Sequence, residues 1–202
     1  MDRREAIKKT MLITGYALTA STVQAVLTSC ETEREVNWTP KYFSAEQAAL
    51  ITNMAETILP RTKTPGAIDV GVPAFMERMV KDTYLPEDQE QFAAGLADVE
   101  ARAQKAHGKP FVACKIKQQA NILEALDAEA SAAGIARRDA VRNNPELGAE
   151  PYFNFFLNFK SLALLGYFTS SFVGTKVLSY DPIPGAYLGC IPAKEVGNAW
   201  SL

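Results

Sequence analysis

A chain of 202 residues, 48% hydrophobic and 22% charged, is long enough to bury one core without disulfide or metal staples. Its composition excludes a disordered polypeptide. The formal net charge is −2, of which residues 1–29 contribute +2, so the remainder carries −4. A mildly acidic chain with no basic stripe is not built for a phosphate backbone, and no nucleic-acid partner is expected.

The first thirty residues read as an address. Asp2-Arg3-Arg4-Glu5-Ala6-Ile7-Lys8 sets the adjacent Arg3 and Arg4 before an apolar residue and a lysine, in the manner of twin-arginine export signals. A weakly apolar run, Met11 to Leu27, leads to Leu27-Thr28-Ser29-Cys30, which has the form of a bacterial lipobox. Small residues there admit a peptidase, and the Cys30 thiol is suited to a thioether with diacylglycerol. The competing reading is an uncleaved anchor, or a chance arginine pair. The order and spacing of the two signals predict a signal peptide over 1–29, lipidation of Cys30, and a periplasmic, membrane-tethered domain. Cys114 and Cys190 then face an oxidising compartment. They pair with each other, bridge to another chain, or stay free; the sequence leaves all three open.

Glu31 to Lys41 is polar, with Trp38 its only large apolar residue, and 30–42 reads as a tether. Ser44-Ala45-Glu46-Gln47 is a capping box, with Phe43 as a hydrophobic staple. Leu50, Ile51, Met54, Ile58 and Leu59 give the first helix its apolar face before Pro60 stops it. The loop Leu59-Pro60-Arg61-Thr62-Lys63-Thr64-Pro65-Gly66-Ala67 has its path fixed by two prolines and a glycine, with Arg61 and Lys63 exposed. Asp69-Val70-Gly71-Val72-Pro73 opens a second helix, buried through Phe75, Met76, Met79 and Val80. A third begins near Pro86, where Glu87, Asp88 and Glu90 suit the positive end of the dipole. It runs through Phe92, Leu96 and Val99 to His107 and ends at Gly108-Lys109-Pro110. A fourth spans roughly residues 115–132, with Ile116, Ala120, Leu123 and Leu126 on one side. Residues 134–149 read as a loop with a short helical turn.

The organising stretch is a helix over 151–168. Phe153, Phe155, Phe156, Leu157, Phe159, Leu162, Leu164, Leu165 and Tyr167 cover nearly its whole circumference, broken by the stripe Asn154, Asn158 and Ser161. Such a helix must be surrounded by its own domain, a partner or lipid. It is at the short limit for a membrane span and carries Lys160 and two asparagines, which disfavours lipid. Ser170 can cap one more short helix to about Leu178. The fold class is all-α, one domain over 43–202 of five to six helices with an extended Pro/Gly-rich tail.

Candidate chemistry is sparse. His107 is the lone histidine, no His/Cys/Asp/Glu set has metal-ligand spacing, and no glycine-rich phosphate or flavin cradle occurs. No catalytic residue, metal or cofactor is expected in this chain. The tail, Tyr180-Asp181-Pro182-Ile183-Pro184-Gly185-Ala186-Tyr187-Leu188-Gly189-Cys190-Ile191-Pro192, is too proline-rich for a helix or a central strand. It reads either as a strap over the helices or as an arm laid on another subunit.

These motifs carry a resemblance. Phe43-Ser44, the run Ile58 to Ala67, Asp69 to Phe75, Gly166-Tyr167-Phe168-Thr169-Ser170 and Leu178 to Tyr187 together resemble the small subunit (subunit 3, or gamma) of the gluconate 2-dehydrogenase group. Related small subunits serve FAD-dependent glucose, sorbitol and glucoside 3-dehydrogenases. The resemblance implies a subunit without its own cofactor. It would be paired with a large flavoprotein of the glucose–methanol–choline fold that holds FAD and passes electrons to a multihaem cytochrome c or another acceptor. It also implies that the flavoprotein leaves the cytoplasm bound to this chain. The lipobox departs from the family pattern and makes the small subunit itself a membrane tether. On this reading Pro60, Arg61, Pro65 and Gly66, with Tyr180, Asp181, Pro184, Gly185, Tyr187 and Ile191, are the candidate partner contacts. Cys190, beside Gly189 and Pro192, is the candidate bridge to the partner, with Cys114 as the intrachain alternative. The rival expectation is a free-standing periplasmic lipoprotein with a binding or scaffolding role.

Overall fold

The computed structural model describes residues 34, 38–149, 152–183, 185 and 189–201, and the export signal and lipobox lie outside them. The chain is helical, in the order α1 (Ala45–Ile58), α2 (Val72–Thr83), α3 (Pro86–His107), a 3-10 turn (Phe111–Ala113), α4 (Ile116–Asn143), a second 3-10 segment (Pro145–Ala149), α5 (Phe155–Phe168), a π-helical turn (Val173–Val177) and the short α6 (Ala193–Val196). The expected all-α class holds, and no strand occurs among the described residues.

Local chemistry sets the starts. At α1 the Ser44 hydroxyl accepts from the Gln47 N–H (3.2 Å) while the Ser44 N–H donates to Gln47 Oε1 (3.1 Å), so both halves of the capping box form. Gly71 adopts a left-handed φ of 75° ahead of α2, whose first turn contains Pro73. α3 closes on Gly108, again left-handed, whose N–H reaches Gln104 O (2.8 Å).

α5 is the hub. It packs against α1, α2, α3 and α4, burying Phe156, Phe159, Leu162, Ala163 and Tyr167. Phe92 of α3 sits opposite, stacked on Phe43 (5.9 Å) and Phe159 (6.1 Å) with Phe155 edge-on (5.3 Å). Gly95 of α3 makes that approach possible, because a Cβ there would stand inside the Phe155 ring.

Two boundaries differ from expectation. The hub helix begins at Phe155 rather than 151, because the Asn154 side chain accepts from the Leu157 N–H (3.1 Å) and caps it. Asn154 thus belongs to the helix start, not to a polar stripe. The loop expected over 134–149 is largely helix: α4 continues to Asn143 before a 3-10 segment. Alanine-rich sequence outweighs the roughly 1 kcal/mol that Gly134 costs. The true stop is Asn144-Pro145, since proline restricts the residue before it. Ile116, expected in the core, is instead 60% exposed, and Gln119 takes the inward position.

Gln119 belongs to a buried polar seam. Its Nε2 donates to Phe111 O (3.0 Å), and its Oε1 lies 3.2 Å from the Thr57 hydroxyl. Arg34 enters the same seam, donating to Asn53 O (2.6 Å) and Thr57 Oγ1 (2.7 Å). Its burial lowers the guanidinium pKa, opposed by the charge of Glu56. In α2, buried Glu77 accepts through Oε1 from the N–H groups of Lys41 (2.8 Å), Tyr42 (2.8 Å) and Phe43 (3.1 Å). The far end of the predicted tether is therefore docked on the domain.

Candidate functional site

The loop between α1 and α2 is tied down from beneath. Glu56, in the last turn of α1, accepts the Arg61 N–H on one carboxylate oxygen (3.0 Å) and the Ile68 N–H on the other (3.0 Å). Ala67 N–H donates to Leu59 O (2.8 Å) and closes the base of the loop. Asp69 gathers the tip, accepting from Gly66 N–H (2.8 Å) and from the Arg61 guanidinium, whose Nε lies at 2.7 Å and whose Nη2 completes the fork. The hydrogen bond from Arg61 holds the Asp69 carboxyl below its ordinary value. Gly66 is required by space: a Cβ would meet the Glu56 carboxylate and come within 2.7 Å of the Arg61 backbone N. From the hub helix, Tyr167 OH donates to Pro65 O (2.9 Å) across 102 residues of sequence.

The C-terminal segment approaches the same loop. Ser170 Oγ accepts weakly from Val173 N–H (3.4 Å), starting the turn that carries Phe172, Lys176 and Val177. Residues 198–201 fold back onto this turn: Asn198 Nδ2 donates to Val177 O (2.7 Å), Ser179 N–H to Ala199 O (2.9 Å) and Ser201 N–H to Ser179 O (2.8 Å). Between loop and turn lies an open cleft of about 660 Å³, walled by Arg61, Lys63 and Pro65 on one side and by Phe172, Lys176 and Asn198 on the other. Phe172 brings an exposed ring to its wall, and elsewhere from the hub helix onward Leu165, Phe168, Tyr180, Ile183, Ile191 and Trp200 are each at least two-fifths exposed.

The sequence-nominated residues divide accordingly. Pro60, Arg61, Pro65 and Gly66 sit together on the braced loop, with Arg61 exposed but engaged by Asp69. Tyr180, Asp181, Gly185 and Ile191 are exposed, and Asp181 Oδ1 accepts from Ile183 N–H (3.1 Å). Arg3, Arg4, Cys30, Pro184 and Tyr187 lie outside the described residues. Cys114 and Cys190 are free thiols, not joined to each other: Cys114 is buried, which raises its pKa, and Cys190 is exposed. His107, at the end of α3, has Nδ1 3.3 Å from Gln118 Nε2. Among the described residues no three His, Cys, Asp or Glu side chains converge as a metal set, and no helix is long and apolar enough to cross a membrane.

Sequence reasoning missed Glu56, Asp69 and Tyr167 as the groups that shape the loop. Asp69, three residues beyond Gly66, was a readable signal for side-chain capping of a turn. Tyr167 was not readable, because its partner is 102 positions away.

The sequence model of the family described as gluconate 2-dehydrogenase subunit 3 matches residues 45–185. The braced loop lies inside that match, whereas Tyr187, Cys190 and Ile191 lie beyond it. No curated protein and no solved structure matches the chain.

Proposed function

The chain belongs to the gluconate 2-dehydrogenase subunit 3 family, and from that premise we propose that it is the non-catalytic small subunit of a periplasmic FAD-dependent sugar or sugar-acid dehydrogenase. Membership implies association with a dehydrogenase complex. The proposal adds three roles: binding the glucose–methanol–choline-type flavoprotein, accompanying it through the twin-arginine route, and tethering it to the membrane through lipid on Cys30. FAD and the redox chemistry belong to the partner, which hands electrons to a cytochrome c or an equivalent acceptor.

The observation that carries the binding role is the set of exposed apolar side chains from the hub helix onward, with Phe172 facing the 60–66 loop across the cleft. Phe172 stands half-exposed across a cleft from a loop braced from three directions, and Phe168, Tyr180 and Ile191 are exposed in the same C-terminal part of the chain. Exposed aromatic side chains on a rigid support lose little entropy on docking, which is how interface anchors behave. The export and anchoring roles rest on Arg3-Arg4 and on Leu27-Thr28-Ser29-Cys30.

The test is affinity capture of the full chain from its native membrane. A co-purifying yellow polypeptide with bound flavin is the expected outcome. Phe172→Asp and Ile191→Asp are each expected to weaken that capture at least tenfold, the loss of about 1.4 kcal/mol or more. A chain that emerges alone, or that itself retains flavin, overturns the assignment.

A further inference from the structure

We propose that the connection between α3 and α4, residues 105–117, is the face this chain lays on an anionic lipid bilayer. The inference rests on the lipoprotein reading above, and adds to it an orientation.

The first observation is a charge cluster. Residues 101–123 hold Arg102, Lys105, Lys109, Lys115 and Lys117 without one Asp or Glu, so the rest of a chain of net charge −2 carries −7. These basic residues fall at the end of α3, in the connection and in the first turn of α4. Arg102 is spent on Asp98 (2.7 Å) and Glu129 (2.8 Å), whereas the four lysines make no ion pair among the described residues. Glu100, the nearest acid before the cluster, turns its carboxylate to the Phe111 N–H (3.1 Å).

The second observation is apolar. Val112 is 36% exposed and Ile116 is 60% exposed, interleaved with Lys115 and Lys117. A groove lined chiefly by apolar side chains, among them Leu50, Leu96, Pro110 and Val112, with Glu46 and Glu100 at its wall, opens beside Val112. Apolar side chains set among lysines suit the headgroup boundary, where the stems bury and the ammonium groups meet phosphate.

The third is the reach of the chain. Arg34 is pinned to Asn53 and Thr57, and Thr57 and Gln119 join that point to Phe111. Only three residues lie between Arg34 and Cys30, four steps of the chain that span at most about 14 Å. A domain of this length has a radius of gyration of about 15 Å. A lipid on Cys30 therefore holds the Arg34 side against the bilayer, and the 111–119 segment shares that side. Charge complementarity selects an anionic lipid surface over an acidic protein, because the tether brings lipid there in every copy.

The experiment uses the full chain with a fluorescent amino acid at position 116, or at position 135, about 28 Å farther along α4. The chain is reconstituted into phosphatidylcholine vesicles containing phosphatidylglycerol and a lipid-borne quencher. The expected result is quenching at 116 several-fold stronger than at 135. That difference should be lost when Lys109, Lys115 and Lys117 are all changed to Gln, with the unfolding midpoint unchanged. Equal quenching at both positions overturns the proposal, as does shielding of 116 by the flavoprotein without vesicles. Mass spectrometry of Cys30 separates the two readings: an unacylated chain still quenched at 116 keeps the face and loses only the anchor.

Discussion

Asp69 does three jobs with one carboxylate: it accepts from Gly66, forks with Arg61, and stands at the entrance to α2. Its folded pKa is depressed, chiefly by the Arg61 hydrogen bond. The stabilisation is therefore complete above the unfolded carboxylate value, near pH 4. It is lost as the pH falls through the lower folded value. The measurement is the difference in unfolding midpoint between wild type and Asp69→Asn, followed from pH 6 downward. That difference should shrink on acidification and vanish once Asp69 is protonated in both states. At Gly66 the constraint is steric instead. Gly66→Ala pushes a methyl group at Glu56 and the Arg61 backbone, and is expected to cost about 1–3 kcal/mol in urea unfolding.

Among the elements, the hub helix bears the greatest load. Phe159 is fully buried and stacked on Phe92, so Phe159→Ala should lower stability by about 3–5 kcal/mol. Leu165→Ala on the exposed side of the same helix should change it little in the isolated chain. Periodicity located this helix because nine apolar side chains in one short run leave no other arrangement. Its first turn was misplaced because a β-region asparagine cap and a helical asparagine look alike in sequence. The overrun of α4 has a different cause. Arg137, Arg138 and Arg142 read as loop because they are charged, yet arginine and alanine are good helix formers. Arg137 in fact braces the end of the helix, donating to Leu147 O and lying 5.5 Å from the Tyr152 ring centroid.

For the whole molecule, the sequence disclosed most where the chemistry is local. The capping box at Ser44, the prolines at 60 and 65 and the glycine at 108 each act within a few residues, and each stands where it was placed. The candidate surface was half legible: its loop was visible, but not the cleft between that loop and the turn at 173–177. That cleft depends on Tyr167, Phe172 and Asn198 meeting residues more than a hundred positions earlier. The charge cluster was legible, since it lies in one unbroken stretch of sequence, but a near-neutral total draws attention away from it. No pattern in a linear chain reveals that Gln119, rather than Ile116, turns inward.

One feature of α4 reaches beyond the core. Its buried side chains end at Ala130, and nothing from 131 to 143 is buried. Thirteen residues thus extend about 20 Å as a spar, buttressed chiefly by the 3-10 segment behind it. Backbone amides on such a spar open without disturbing the rest of the fold. In deuterium exchange, 134–143 should label well before 119–130, so the free subunit loosens from that end first.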